Sequence, residues 1–355
     1  MSETATLAGR ELSAFARGIG DVHRAISGRV FGALGPTAAP VRLVHDAIAD
    51  GVYTTVSRGL RLTALAPLPE LSESRRGEMV LAALNGLIGD MLDEPLAIPM
   101  EVRRVGAPTT PRIAVFLHGL GETEYAWGSP SYGERLHADL QVTPVFIRFN
   151  TGRHISENGA ALAALLDEVV AGWPVEVEQI ALIGHSMGGL VARSACRHGG
   201  DWTALVRHTV SLGSPHDGAP LEQAVHTISA ALHAVPETRP FARFLRRRSA
   251  GIRDLRRGSI VDEDWRDCDP DALRAKARTE VPLLDGATHY FVAATITRSA
   301  SHPVGRLLGD ALVLAPSASS RRVGFEIENG LALGGTHHLA LLNHSEVYDR
   351  LRSWL

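Results

Sequence analysis

The sequence predicts an α/β chain in which a mostly parallel sheet carries helices on its faces. Three observations support this. The apolar run Ile180-Ala181-Leu182-Ile183 stops at Gly184-His185-Ser186-Met187-Gly188-Gly189, and Leu190-Val191-Ala192-Arg193-Ser194-Ala195 continues as a helix. A second run, Ile113-Ala114-Val115-Phe116-Leu117, ends in His118-Gly119-Leu120-Gly121. A third, Tyr290-Phe291-Val292-Ala293-Ala294-Thr295, leads toward the loop Gly309-Asp310-Ala311. With 355 residues, the chain exceeds an ordinary α/β core of about 250 residues by about 100.

The excess falls in two places. Residues 1–96 read as helices: Val41, Leu43, Val44, Ile48 and Val52 keep a helical period, as do Val80, Leu81, Leu84, Leu87, Ile88 and Met91. Pro36, Pro40, Pro67 and Pro69 punctuate them. The expectation is a helical extension packed on residues 97–355, with a homodimerisation or peripheral lipid-surface module as the alternative. The second excess is an insertion at about 218–286, too long for a plain connection. Leu221, Val225, Ile228 and Leu232 share one face of a helix there. That face either roofs an apolar pocket as a cap or covers the sheet edge. An arginine-rich stretch, 243–257, and an acidic one, 262–271, read as a solvated face.

The later elements follow in order. Leu212-Gly213-Ser214-Pro215-His216-Asp217 ends the strand after the serine helix, and Val323-Gly324-Phe325-Glu326-Ile327 is expected as the last strand. A final helix carries Val347, Leu351 and Trp354 on one face, with Asn343 and Glu346 as its capping box. Net charge is −3, which argues against nucleic acid as a partner. Cys196 and Cys268 suggest no disulfide framework. No histidine, cysteine or carboxylate cluster has metal-ligand spacing and no G-x-G-x-x-G follows a strand, so neither a metal nor a cofactor is expected. The N-terminal residues carry no apolar core of signal-peptide length and no run of 18 apolar residues occurs, which places the expected location in the cytoplasm.

The chemistry centres on Ser186. Strand, G-x-S-x-G, helix is the setting of a nucleophile elbow, in which the serine hydroxyl stands exposed on a strained turn. Gly184 and Gly188 are expected because a side chain at either would strike backbone, and the helix aims its amino end at the serine. Such a serine needs a base, an acid and oxyanion donors. The donors expected are the backbone amides of Leu120 and Met187, with His118 bracing the loop. For the base, His338 is preferred, then His337, then His344, all lying between the last strand and the last helix. For the acid, Asp310 is preferred and Asp217 is the alternative, since an aspartate before a turn is commonly a turn residue.

Together, His118-Gly119-Leu120, Gly184–Gly189, Leu212–His216 and the tail His337–Leu351 resemble bacterial lipases and esterases of the α/β-hydrolase superfamily. More narrowly they resemble the lipase-like proteins grouped with GPI inositol-deacylases. Phe149–Gly159 is similar to the family segment between a strand and the helix beside the elbow. In these lipases the acid lies in a GDG-V-P-S loop, which matches Gly309–Ser317. The loop departs at Ala311, where glycine is common, and by an extra residue between Val313 and Pro316. The family's base matches His338. The resemblance spans roughly residues 97–355. It implies an α/β-hydrolase fold and a serine hydrolase acting on a hydrophobic acyl ester through a Ser186–Asp310–His338 triad and an acyl-enzyme. The rival reading is a lipid-binding or assembly protein with a catalytically weak hydrolase core.

Overall fold

A computed structural model describes residues 74–218, 249–268, 278–299, 302, 309–310, 312–319, 323 and 325–355. The cap positions Leu221, Val225, Ile228 and Leu232 lie outside these residues, as does most of the N-terminal segment expected to be a packed helical extension or, alternatively, a dimer or lipid contact.

Seven strands form one sheet in the order β1-β3-β2-β4-β5-β6-β7: β1 Glu101–Val105, β2 Arg112–Leu117, β3 Thr143–Arg148, β4 Gln179–His185, β5 Val206–Leu212, β6 Thr288–Thr295 and β7 Gly330–Gly334. β1 is antiparallel to β3, and every other pairing is parallel. A mostly parallel sheet with helices on both faces, its first strand antiparallel, is the architecture expected of an α/β-hydrolase fold.

The strands are continuous apolar runs because both faces are covered. On β2, Ile113, Val115 and Leu117 point to one face, with Leu162 and Leu166 of α3 (Ile155–Ala171) and Leu190 and Val191 of α4 (Met187–His198). Ala114 and Phe116 point to the other. There Trp127, together with Tyr132 and Leu136 from α2 (Tyr132–Leu140), joins Val347 and Leu351 of the last helix, Ser345–Trp354. Each large aliphatic or aromatic side chain buried in these layers contributes about 1.5–3 kcal/mol.

The chain moves from β2 outward to β3, then returns to β4 on the other side of β2. The strand order therefore reverses between β2 and β4, and the carboxyl ends beside such a reversal are where open α/β sheets generally bind their ligands. Leu117 and His185 are the last residues of these two strands, so the His-Gly loop and Ser186 meet at the switch point.

Helix α1, Arg75–Ile88, lies against this end of the sheet. Gly86 comes so close to the His-Gly loop that an added Cβ would lie 3.0 Å from Gly121 Cα. Arg148, at the end of β3, donates to Glu78 of α1 (2.8 Å) and to Glu124 of the loop after β2 (2.5 and 2.7 Å). All three are buried.

Two expectations are corrected. The last strand is β7, Gly330–Gly334, not 323–327. Phe325 instead packs its ring on Phe291 and His216, so this apolar stretch plugs the sheet's flank. Gly330 fits the sheet edge because it lacks a side chain: an added Cβ would come within 2.2 Å of the Phe291 ring. The last helix begins at Ser345 with His344 as its N-cap, and no side chain caps it. Asn343 is taken into a preceding 3-10 segment, His338–Asn343. The Tyr132 hydroxyl ties that junction, accepting from His344 N–H and donating to Leu341 O. Cys196 and Cys268 are free thiols. Among the described residues, no helix is long and apolar enough to cross a membrane.

Candidate active site

β4 delivers Ser186 in a conformation that L-residues rarely adopt, φ 52° and ψ −119°. Such a backbone costs roughly 1–3 kcal/mol and persists only where its surroundings fix it. The Ser186 N–H is anchored on Leu212 O at 2.9 Å. An added Cβ at Gly184 would lie 2.3 Å from Gly189 N, and one at Gly188 would lie 2.3 Å from Leu117 O. These are the backbone collisions expected from the sequence. Ser186 is the N-cap of α4, so its hydroxyl sits at the positive end of that helix.

The His-Gly loop packs on this turn. An added Cβ at Gly119 would lie 3.1 Å from Ser186 Cβ. This places Leu120 beside the elbow, while Met187 N–H belongs to the first turn of α4. His118 is fully buried and stacked on Phe149 at 4.3 Å. Its Nδ1 donates to Gly119 O (2.9 Å), and its Nε2 accepts from Phe149 N–H (3.3 Å). Both nitrogens are thus occupied by backbone, and burial pushes the ring toward the neutral form. His118 braces the loop.

His338 begins the 3-10 segment after β7. Its Nδ1 donates to Asp310 Oδ2 at 2.7 Å, and its backbone N–H donates to Asp310 O at 3.1 Å. Asp310 Oδ1 accepts from Leu312 N–H (3.0 Å) and Val313 N–H (2.8 Å). The carboxylate is 1% exposed in its residue and aimed from both sides. Gly309, at φ +58°, makes the loop close: an added Cβ would lie 1.9 Å from Val313 O. Burial lowers the pKa of His338, but the charge of Asp310 and its hydrogen bond, aided by the Glu122 charge, raise it above the ordinary histidine value. Gly213, at φ +62°, forms a wall against the imidazole, since an added Cβ would lie 3.1 Å from its Cε1.

The competing candidates are placed elsewhere. His337 is exposed. His344 occupies the N-cap position of the last helix through its backbone alone. Asp217 pairs with Arg278 at 3.4 Å, and its N–H donates to Ser317 Oγ. The structure therefore brings Asp310 to His338 and sends Asp217 to an arginine.

The sequence reading missed Glu122 and His185. Glu122 Oε2 accepts from Gly119 N–H at 2.7 Å and faces His185 Nδ1 at 3.1 Å. Burial works against this carboxylate's charge, but the neighbouring His185, their hydrogen bond and the Gly119 amide outweigh it and hold the pKa near about 2. His185 Nε2 faces His338 O at 3.4 Å, and the two rings lie 4.7 Å apart. A carboxylate three residues after Gly119 was the available signal, but its target is brought near only by the sheet.

Residues 149–272 match the family model described as a PGAP1-like alpha/beta domain. No curated protein matches the chain in sequence. Among solved structures, a Bacillus licheniformis lipase in its propeptide form is 21% identical over 72% of this chain and 52% of its own, with a TM-score of 0.45. This chain thus spans about half of that relative's length. A lipase-esterase related protein from Clostridium acetobutylicum is 15% identical over 73% of this chain and 100% of its own, TM-score 0.42. A metagenomic carboxyl esterase is 17% identical over 70% and 77%, TM-score 0.40.

Proposed function

We propose that this protein is a serine hydrolase that cleaves carboxylic esters, a lipase or esterase acting on apolar acyl esters by way of an acyl-enzyme. The observation that carries the reading is the ordered chain of groups at the switch point. A strained Ser186 stands at a helix N-terminus, the His-Gly loop lies against it, and His338 is held by Asp310 at 2.7 Å.

In this mechanism Asp310 fixes the Nδ1–H tautomer of His338, leaving Nε2 as the base that takes the Ser186 proton. The serine oxygen attacks the ester carbonyl, and the amides of Leu120 and Met187 hold the developing oxyanion. Loss of one such donor costs about 2.7–4 kcal/mol of barrier. The imidazolium returns its proton to the leaving alcohol, and water, activated by the same base, releases the acid. No step calls on a metal or cofactor.

The test is Ser186→Ala measured against wild type with p-nitrophenyl esters and a fluorophosphonate probe. Wild type is expected to be labelled at Ser186 and to turn over, and the alanine variant to do neither while keeping its fold. A wild-type protein that binds lipid but neither reacts with the probe nor hydrolyses esters would establish the rival lipid-binding reading. Within the hydrolase reading, each buried methylene is worth about 0.8 kcal/mol. kcat/KM is therefore expected to climb from acetyl to octanoyl esters, and a preference for acetyl esters would narrow the substrate class to small esters.

A further inference from the structure

The serine-hydrolase reading leaves one buried carboxylate at the switch point without a task. Glu122 is mostly enclosed, with a side chain 16% exposed, and faces His185, whose side chain is wholly buried. Its contacts converge on one atom: Oε2 takes the Gly119 N–H at 2.7 Å and the His185 Nδ1–H at 3.1 Å. Its own N–H returns to Gly119 O at 3.2 Å, closing a tight turn. Across the imidazole of His185, Nε2 faces His338 O at 3.4 Å.

Two separate pieces of chain thereby meet at one oxygen, and a third is reached across the His185 ring. Gly119 precedes Leu120, whose amide is the first oxyanion donor. His185 precedes Ser186, the nucleophile. His338 carries the base. Resting on the serine-hydrolase reading, we propose that Glu122 is the positioning residue of the site, its carboxylate fixing the Gly119 turn directly and, through His185, the backbone of His338. The structural reason is leverage. The three segments come from β2, β4 and the stretch after β7, and nothing in their local sequences sets their mutual distances. A displacement of about 1 Å at a reacting group can cost about 100-fold in rate. A pure packing residue would not place a charged group where apolar volume would do, because a buried carboxylate carries a desolvation cost.

Because both bonds reach the same oxygen, an amide oxygen at that place can accept both. Glu122→Gln therefore keeps an acceptor for the Gly119 and His185 N–H groups and removes the charge, whereas Glu122→Ala removes both. The experiment compares the two with wild type in steady-state hydrolysis of a p-nitrophenyl ester, rate of fluorophosphonate labelling, and hydrogen exchange at the Gly119 amide. Glu122→Ala is expected to lower kcat by roughly 30- to 100-fold, with KM within about twofold, to slow labelling in parallel, and to unprotect the Gly119 amide. Glu122→Gln is expected to restore Gly119 protection and most of kcat. Wild-type kcat in the alanine variant, or equal losses in both variants, would overturn the proposal. If the alanine variant does not fold, the paired substitution Glu122→Gln with His185→Phe takes its place: it keeps a ring against His338 and deletes the link, and unchanged kcat there would overturn the proposal equally. The exchange measurement needs no turnover. A protein whose wild type fails to react with the probe refutes the hydrolase reading, while a Gly119 amide still protected in Glu122→Ala refutes the anchoring by itself.

Discussion

Replacing Asp310 by asparagine is the most demanding test of the site, because the structure dictates which way the new amide must face. Oδ1 of Asp310 accepts two backbone N–H groups, from Leu312 and Val313. An NH2 group there would confront two donors in a buried loop, so the amide oxygen must take that place. The NH2 group then occupies the position of Oδ2, 2.7 Å from His338 Nδ1. A donor now faces Nδ1, and the imidazole satisfies it only by moving its own proton to Nε2. That nitrogen can no longer take the Ser186 proton. A base locked in the wrong tautomer costs about 10⁴ in kcat, or about 5.4 kcal/mol of barrier at about 1.36 kcal/mol per decade. The pH profile supplies an independent sign. In the proposed mechanism the base works when neutral, so kcat/KM is expected to fall as pH drops through the His338 pKa. Burial lowers that pKa, but the Asp310 charge and hydrogen bond raise it above the ordinary value. Without the charge, the acid limb of the residual activity moves to lower pH. Stopped-flow hydrolysis of an activated ester from pH 5 to 9 reads both quantities. An Asp310→Asn protein within tenfold of wild type, with the acid limb unmoved, would refute the argument and return the acid's role to another residue.

Asp217→Asn is expected to leave kcat within about twofold and to change stability by no more than about 1 kcal/mol, since its partly exposed pairing with Arg278 is of the weak kind; a larger loss of kcat than in Asp310→Asn would reverse the assignment. Arg148→Met leaves Glu124 and Glu78 buried around an apolar side chain and is expected to cost about 3–5 kcal/mol in urea unfolding. A loss under about 1 kcal/mol would show that Arg103, which reaches Glu78 at 2.8 Å and Glu124 at 3.7 Å, suffices as their partner. Gly188→Ala drives a Cβ to 2.3 Å from Leu117 O, a backbone atom that no rotamer change can move. It is expected to lower the Tm by an amount equivalent to at least about 1–3 kcal/mol and to abolish probe labelling; Gly189→Ala meets the Ser214 side chain instead and is expected to be milder.

What the sequence determined by itself is the part of the protein set by local chemistry. Ile180–Ile183 followed by G-x-S-x-G and a helix is readable because strand, strained turn and helix start are contiguous, and the glycines are required by backbone collisions within a few residues or with the neighbouring strand. The loops Gly309–Ser317 and Gly334–His344, which carry Asp310 and His338, were legible for the same reason. Val323–Ile327 misled because an apolar stretch looks alike whether it joins a sheet or plugs its flank, and only the close approach of Gly330 to Phe291 decides between them. Asn343 and Glu346 have the spacing of a cap, but the Tyr132 hydroxyl, about 210 residues earlier, fixes the junction elsewhere. The choice of Asp310 over Asp217 as the partner of His338 was likewise a tertiary matter, since Arg278 draws one carboxylate away and the Gly309 turn turns the other inward. Glu122, His185 and the Glu78–Arg148–Glu124 cluster belong wholly to the folded state. Their partners come from different strands and helices, and Coulombic and hydrogen-bonding energies depend on distances that a linear order of residues does not contain.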